Sequence, residues 1–436
     1  MIRHFIKLMI HRNFRKNRYL TLLNLSGLAV GLTAFILIML FVQHETSYDR
    51  FHTHHEDIYR LMIEKKGHRH GGTPARLAPF LKEQVPEVED FVRTWAREDV
   101  LVLHEEKVFY EKNLLYADPS LFEVFDFQII GGDKNTPLAS PHSLILTQSM
   151  ARKYFGSTDP IGQTLYLFKN QQPFTVTAIA SDPPGNSSIR FGFVIPFELM
   201  ERRSIWGMFN YQSYLKLDHR FRNQTLEKIN ALSIDARESQ IPLDFIRLLP
   251  LKNLRFEPAL SRDIPVTEKK SLYIYLSAAV FVLLLAVINY TNLASAISLK
   301  RSRELALKKI AGSSRRRIIG EVVMESVVFS LLALFLALIF VELLRPHFIQ
   351  VMHRSLVFDY SRLPLYFLVA VLVGLLAGIY PAFFSARFNI MSLLKETTYK
   401  GPGGSAFRNV FVMIQFGITS FLLICALTFS RQLHHI

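Results

Sequence analysis

Two hydrophobic patterns divide this chain. Five stretches are apolar almost without interruption: Tyr19–Val42, Leu272–Ile297, Ile318–Leu344, Pro364–Phe384 and Val410–Phe429. A bilayer core about 30 Å thick needs roughly 20 such residues as a helix, so each stretch predicts a membrane span. Residues 44–270 differ, because short apolar runs there alternate with polar and turn residues. The first span has a basic leader, as a signal peptide does. Its apolar part is longer than the 7–15 residues of a signal-peptide core, and no A-x-A site follows, so it reads as an uncleaved anchor.

Within 44–270 the pattern predicts interleaved strands and helices. Thr73-Pro74 opens a helix ending near Val85-Pro86. Val88–Trp95, Val100–His104 and Lys107–Tyr110 read as strands. Asp118-Pro119 reads as an N-cap with Pro at the first helical position. Ser143–Thr147 is a strand leading into a helix, Gln148–Phe155. Leu165–Phe168 and Phe174–Ala180 suggest a hairpin. Tyr211–Leu217 and Phe245–Leu251 are strands flanking a helix near Thr225–Ser239. Hairpins mixed with helices predict an α+β domain rather than a doubly wound sheet. The fold class expected is a membrane protein with five all-α transmembrane helices and a large α+β domain between spans 1 and 2.

Charge orients these elements. Of the 436 residues, 50% are hydrophobic, mean hydropathy is +0.20 and the net charge is +15. Residues 44–270 hold 29 basic and 30 acidic residues, so the excess lies beside the spans. Residues 1–18 carry six basic residues and no acid, residues 298–317 eight basic residues and Glu304, and residues 385–408 four basic residues and Glu396. Positively charged loops stay on the cytoplasmic side, which leaves 44–270 and the C-terminus outside. A nucleic-acid binder would place its charge on the folded domain, so nucleic acid is not an expected partner. Residues 1–18 read as a basic amphipathic helix at the membrane surface, or as an extension of the first span. The expected order is then 1–18 interfacial helix, 19–43 span 1, 44–270 outer domain, 271–297 span 2, 298–317 cytoplasmic segment, 318–344 span 3, 364–384 span 4, 385–408 cytoplasmic linker and 409–430 span 5. The one cysteine, Cys425, lies in the last span, so the outer domain has no disulfide and depends on its core.

Chemistry is sparse. No P-loop motif is present, and no cytoplasmic segment exceeds about thirty residues, too short for a nucleotide-binding domain. Any ATP is bound by another chain. No cofactor, metal or catalytic set is expected, and His52, His54, His55, His68 and His70 read as a polar loop. Polar and small residues within the spans are more informative. Gly27 and Gly31, like Gly374 and Gly378, are four apart and permit close helix packing. Asn289 and Asn292 share a helix face and should point at other helices. Glu321 sits four residues after Arg317, with which it can pair, and Glu325 lies a turn deeper. The segment Ser298–Arg317 reads as a short amphipathic helix ending at Gly312, lying on lipid or on a cytoplasmic partner.

Several motifs carry a family resemblance. Asn289-Tyr-Thr-Asn-Leu-Ala-Ser-Ala296, Lys300-Arg-Ser-Arg-Glu-Leu-Ala-Leu-Lys-Lys-Ile-Ala-Gly312, Glu325-Ser326 and Tyr380-Pro381-Ala382 resemble the FtsX/MacB-type ABC permease family. Ser385, Phe388-Asn389 and Leu394-Lys395 follow in the same order, with Ile390 where that family usually has Pro. The outer domain is similar to the MacB-like periplasmic core through Tyr48-Asp-Arg-Phe-His52, Ile58-Tyr-Arg60, Ala117-Asp-Pro-Ser-Leu-Phe122, Lys153-Tyr-Phe-Gly156, Asp159-Pro-Ile-Gly162 and Asp182-Pro-Pro-Gly-Asn-Ser187. The resemblance implies a non-catalytic permease subunit in the bacterial inner membrane, N-terminus cytoplasmic. It implies pairing with a dimeric ABC ATPase and with a second permease unit, either a tandem half or a homodimer. A periplasmic adaptor, an outer-membrane channel and membrane lipids are further partners. Arg303, Glu304, Lys308 and Gly312 would then make the ATPase-coupling contact, and a periplasmic cargo would be exported or released. Phe407-Arg408-Asn409 before the fifth span is similar to Phe14-Arg15-Lys16-Asn17 before the first, as in the first half of a tandem permease. The alternative is an FtsX-like regulator that activates a cell-wall hydrolase.

Overall fold

The computed structural model describes residues 18–65, 68–105, 107–201, 206, 208–232, 245–260, 264, 266–352, 358–386 and 404–434. The chain divides into two units, His44–Lys269 and the remainder. Expectations for residues 1–17 and for most of the 385–408 linker, including Phe388-Asn389, Ile390 and Leu394-Lys395, fall outside the described residues.

The helical unit is built from α1 (Arg18–Thr46), which runs into the next unit, and from α7 (Lys269–Lys300), α8 (Ser302–Ile310), α9 (Arg315–Met352), α10 (Leu363–Ala386) and α11 (Gly404–His434). Four of these, α1, α7, α9 and α10, are long and apolar enough to cross a membrane. In α11 the described part of the apolar segment, Asn409–Ile424, is shorter than the other four. Large apolar side chains stay exposed along the outer faces, among them Phe335 and Leu343 on α9 and Phe367, Leu368 and Leu376 on α10. The inward faces carry small residues instead. Ala370, Gly374, Ala377 and Gly378 of α10 are buried, as are Ser326, Ser330, Ala333 and Ala337 of α9. A Cβ built on Gly378 would lie 2.8 Å from the Ser326 Cβ, and one on Gly374 2.6 Å from the Val327 Cα. On α1, a Cβ at Gly31 would lie 2.4 Å from the Ala286 Cβ, and one at Gly27 2.9 Å from the Asn289 amide nitrogen. Gly374 and Gly378 therefore mark a close approach of α10 to α9, and Gly31 one to the Ala286 Cβ, whereas the obstacle at Gly27 is the end of the Asn289 side chain.

Among the described residues of the second unit there is one mixed sheet of thirteen strands. Its strands are β1 (Ile58–Lys65), β2 (His68–His70), β3 (Asp90–Arg97), β4 (Val100–His104), β5 (Lys107–Glu111), β6 (Leu114–Ala117), β7 (Ile129–Gly132), β8 (Ser143–Thr147), β9 (Thr164–Leu167), β10 (Gln172–Ala180), β11 (Phe193–Pro196), β12 (Gln212–Lys216) and β13 (Phe245–Pro250). Helices α2 (Leu77–Gln84), α3 (Leu121–Val124), α4 (Gln148–Phe155), α5 (Glu198–Glu201) and α6 (Arg222–Ala231) punctuate them. The strand order is β13-β1-β12-β3-β6-β11-β8-β10-β9-β4-β5, with β2 on β1 and β7 on β10. Among the described residues only β8–β10 and β6–β11 pair in parallel, so the unit is α+β.

Packing overrides two local expectations. Asp118 does not cap α3, whose N-cap is Ser120. Its carboxylate instead accepts from Arg93 Nε at 2.9 Å, Nη2 at 2.8 Å and backbone N at 2.7 Å. A buried arginine competes better for that carboxylate than a helix terminus does. The helix expected from Thr73 starts at Leu77, because Thr73 bridges to Tyr211 in the sheet and its hydroxyl lies 2.7 Å from Ser213. The outer edge of β13 is closed by α6: the Asn230 amide donates to Ile246 O and accepts from Ile246 N, and Arg222 donates to Leu248 O.

Candidate functional site

The elbow between α7 and α9 is built from local rules. Helix α8 ends where Gly312, at φ +88°, lets its amide reach Lys309 O at 3.0 Å and the Ser313 amide reach Lys308 O at 2.9 Å. Those two bonds form a Schellman cap, which turns the chain back into α9. Leu305 and Ala306 are buried, and Leu305 packs on Ile318 and Phe384. Lys309 donates to Ala386 O at 2.9 Å and so satisfies a terminal carbonyl of α10. The opposite face exposes Leu307 and Ile310, at 66% and 63%.

Three motifs separated in sequence meet behind this elbow. Pro381 has no amide, which leaves the Ala377 carbonyl of α10 without its helical donor. The Thr291 hydroxyl lies 3.2 Å from that carbonyl and 2.8 Å from Val287 O. The neighbouring Tyr290 donates to Ser326 Oγ at 3.2 Å, linking α7 to α9. Two ion pairs complete the junction. Arg301 holds Glu325 at 3.0 Å, and Lys308 holds Glu321 at 2.5 Å. Glu321 thus pairs across the elbow with Lys308 rather than with Arg317 along its own helix. The reverse turn brings α8 alongside α9, and the partly buried Lys308–Glu321 pair is shielded better than a surface pair on one helix.

These groups surround a cavity of about 70 Å³ lined by Asn24, Tyr290, Glu304, Lys308, Glu325 and Ser385, among others. Of the residues expected at a partner contact, Glu304 and Lys308 line this cavity, Gly312 forms the cap, and the Arg303 side chain lies outside the described residues. Asn289 is half-buried against Gly27, and Asn292 is half-buried on the same helix. Thr291, Tyr290 and Arg301 were not singled out from the sequence. Their role depends on Pro381, Ser326 and Glu325, which are distant in the chain.

A second buried cluster lies within the sheet unit, at residues that adjoin α1 and α7 in the chain. Glu45, in the last turn of α1, accepts from Arg255 Nε at 2.7 Å and Nη2 at 2.9 Å, with both side chains 1% exposed. Thr267, two residues before α7, donates to the same carboxylate at 2.7 Å, and its amide donates to Arg255 O at 2.8 Å. The Tyr48 ring lies 4.3 Å from the Arg255 guanidinium. Asn186 donates to Ser47 O, and the Asp49 amide donates to Asn186 O. Asp49 is buried, and desolvation raises its pKa to about 6 against the lowering effect of hydrogen bonds from Ser188. Burial pushes His52 down to about 4, partly offset by Asp126.

The histidines are dispersed: His52 Nδ1 accepts from the Asp126 amide, and His68 and His70 lie on β2. Asp57, Asp218 and His219 form the carboxylate–imidazole cluster, with ligand atoms within 4.8 Å of one another. Arg220 already occupies Asp218, and its hydrogen bonds hold that carboxyl at about 2.

Comparison with known proteins bears on both units. Residues 21–231 match the family model of the MacB-like periplasmic core domain, and residues 276–390 match that of the FtsX-like permease C-terminal region. No curated protein matches the chain. Among solved structures, a domain of a permease protein from Porphyromonas gingivalis is 24% identical, with a TM-score of 0.39, covering 46% of this chain and 91% of its own. The extracellular domain of the noncanonic ABC-type transporter YknZ from Gram-positive bacteria is 15% identical, with a TM-score of 0.34, covering 44% and 99%. The periplasmic region of MacB from Actinobacillus actinomycetemcomitans is 15% identical, with a TM-score of 0.34, covering 45% and 90%. The two family models follow one another along the chain, one beginning in α1 and spanning most of the sheet unit, the other spanning α7 to α10, and this protein belongs to the FtsX/MacB-type ABC transporter permease family.

Proposed function

We propose that this chain is the membrane subunit of a MacB/FtsX-type ABC transporter and is itself non-catalytic. ATP hydrolysis by a separate ATPase dimer moves the elbow helix α8. The motion passes along α1 and α7 to the sheet unit, which exports or releases a periplasmic cargo. The elbow then faces the cytoplasm of the inner membrane, α11 supplies a fifth span, and a second permease unit completes the complex.

One observation carries this reading. Helix α8 is held to α9 and α10 through Leu305, Lys308 and Lys309, while Leu307 and Ile310 point away from the bundle. A short helix, rigidly capped and with apolar side chains outward, suits a groove on a moving partner. At the other end, within the sheet unit, the buried Glu45–Arg255–Thr267 cluster joins the last turn of α1 to residues that precede α7 in the chain.

The test is co-purification of the full-length chain from native membranes with an ABC ATPase. The wild type retains the ATPase, and Leu307→Asp with Ile310→Asp loses it while the chain stays folded and inserted. Absence of any ATPase with the wild type, or its full retention by the double variant, refutes the reading.

A further inference from the structure

The two ends of the strand order are finished differently. At one end β13 is closed by α6. At the other end, among the described residues, β5 pairs with β4 alone. The register sets Leu101 opposite Tyr110 and Val102 opposite Phe109. Leu101 O accepts from the Phe168 amide at 2.8 Å, so the Leu101 backbone faces β9 and away from β5. An antiparallel ladder alternates between pairs that exchange hydrogen bonds and pairs that do not. Tyr110, and Val108 two residues before it, therefore turn their amides and carbonyls outward, where no described residue meets them.

The side chains of β5 follow the same division. Val108 and Tyr110 are 54% and 73% exposed, large apolar groups that a border strand meant to stay single avoids. Phe109 and Glu111 face the other way: the Phe109 ring lies 5.1 Å from that of Tyr154, and Glu111 accepts from Lys153 and Tyr154. Lys107 is exposed. In order, the five residues are cation, apolar, aromatic, apolar and anion. An antiparallel copy centred on Phe109 sets Lys107 against Glu111, Val108 against Tyr110 and Phe109 against itself. The Val108–Tyr110 pairs, β-branched against aromatic, are favourable across strands, and they fall where the outward amides and carbonyls exchange bonds. Sliding the copy by two residues leaves one such exchanging pair within the strand and sets Lys107 or Glu111 opposite Phe109. A foreign strand has no need of this symmetry. A two-fold interface does, because one surface must suit itself.

We propose that β5 is a docking strand for a second copy of this chain, joining the two sheets edge to edge in the antiparallel register centred on Phe109. This contact rests on the reading above, in which a second permease unit completes the complex, and makes that unit another copy of this chain.

Disulfide trapping of the full-length chain in native membranes tests it. In a Cys425→Ser background, two differently tagged copies are co-expressed, one carrying Val108→Cys and the other Tyr110→Cys. Oxidation should join them at least tenfold faster than it joins two tagged copies of Phe221→Cys, an exposed position at the start of α6. The mixed pair should also outpace two copies of Val108→Cys several-fold, because those lie a diagonal step of about 7–8 Å apart in the centred register. Adding Lys107→Glu to both copies of the mixed pair should slow it several-fold, since two carboxylates then face each other. A mixed rate no higher than that of Phe221→Cys overturns the pairing. A faster rate for two copies of Val108→Cys overturns the register, and an unchanged rate with Lys107→Glu overturns the part given to charge. Trapping of a different protein in place of the second copy overturns the choice of occupant. None of these readouts involves an ATPase, so failure here is distinct from loss of ATPase co-purification.

Discussion

Arg255 grips Glu45 with two hydrogen bonds, 2.7 and 2.9 Å long, in a site from which water is excluded. The two residues lie 210 positions apart, one at the end of α1 and the other just before α7. Removing one partner of such a pair leaves a buried charge uncompensated, at a cost of about 3–5 kcal/mol. Arg255→Ala and Glu45→Ala are therefore each expected to lower the unfolding midpoint of the full chain in detergent markedly. Thr267→Val, which removes a single hydrogen bond to the carboxylate, should cost less, about 1–2 kcal/mol.

Helix spacing in the bundle depends on absent side chains. Gly31→Ala and Gly378→Ala each place a Cβ within 2.4–2.8 Å of a neighbouring helix, and such overpacking costs about 1–3 kcal/mol. Gly320→Ala meets nothing within 4 Å and is expected to stabilise slightly, by up to about 1 kcal/mol, through helix propensity. Thermal unfolding of the three variants in the same detergent separates the two effects.

Two buried titrating groups set opposed pH slopes. Asp49 holds its proton up to about 6 in the fold and loses it near 3.8 in the unfolded chain. Between those values the folded state binds more protons, so this group lowers stability as pH rises, by about 3 kcal/mol in all. His52 is protonated only below about 4 in the fold but below 6.5 in the unfolded chain. Over that window the unfolded state binds more protons, so His52 raises stability with pH by a similar amount. The wild type should be nearly flat between pH 4 and 6.5 with respect to this pair. Asp49→Asn should expose a rising profile and His52→Asn a falling one, read by denaturant unfolding across that range.

The elbow ion pair should behave as a unit. Lys308→Glu places two carboxylates together and, on the function proposed above, is expected to cut ATP-driven activity at least tenfold. The swap Lys308→Glu with Glu321→Lys should recover a large part of it, because the pair is restored with its polarity reversed. Equal loss in the single and double variants would show that the attraction itself is unimportant.

Gly312→Ala meets no steric obstacle, yet its φ of +88° is unfavourable for any residue with a Cβ. The substitution should loosen the cap by about 1 kcal/mol and, on the function proposed above, slow coupling without destabilising the sheet unit.

Much of this was legible where local rules decide. Ser143–Thr147 and Gln148–Phe155 were read within the limits observed, since a β-rich run meets a Thr cap whose hydroxyl takes the Met150 amide. The α+β class followed from the hairpin of β9 and β10. Strands β6 and β11 escaped notice because each is only four residues long and buried throughout, without the capped helix that directly follows the equally buried β8. Central strands lose the alternation by which a half-exposed strand is recognised. At the elbow the sequence offered Glu321 a partner on its own helix. The real one arrives only once the Gly312 turn folds α8 back. The Thr291 contact with Ala377 O was equally hidden, because it requires the gap left by Pro381 to lie beside a residue 86 positions away.

The Asn230 amide presents β13 with the donor and acceptor that another strand's backbone would offer. That border of the sheet is thereby closed to strand addition. An extended peptide, or the matching border of a sister domain, finds the Ile246 amide and carbonyl and the Leu248 carbonyl there already taken. Association along this side must therefore use side-chain surfaces, and growth into continuous fibrils from it is blocked by one carboxamide and one guanidinium.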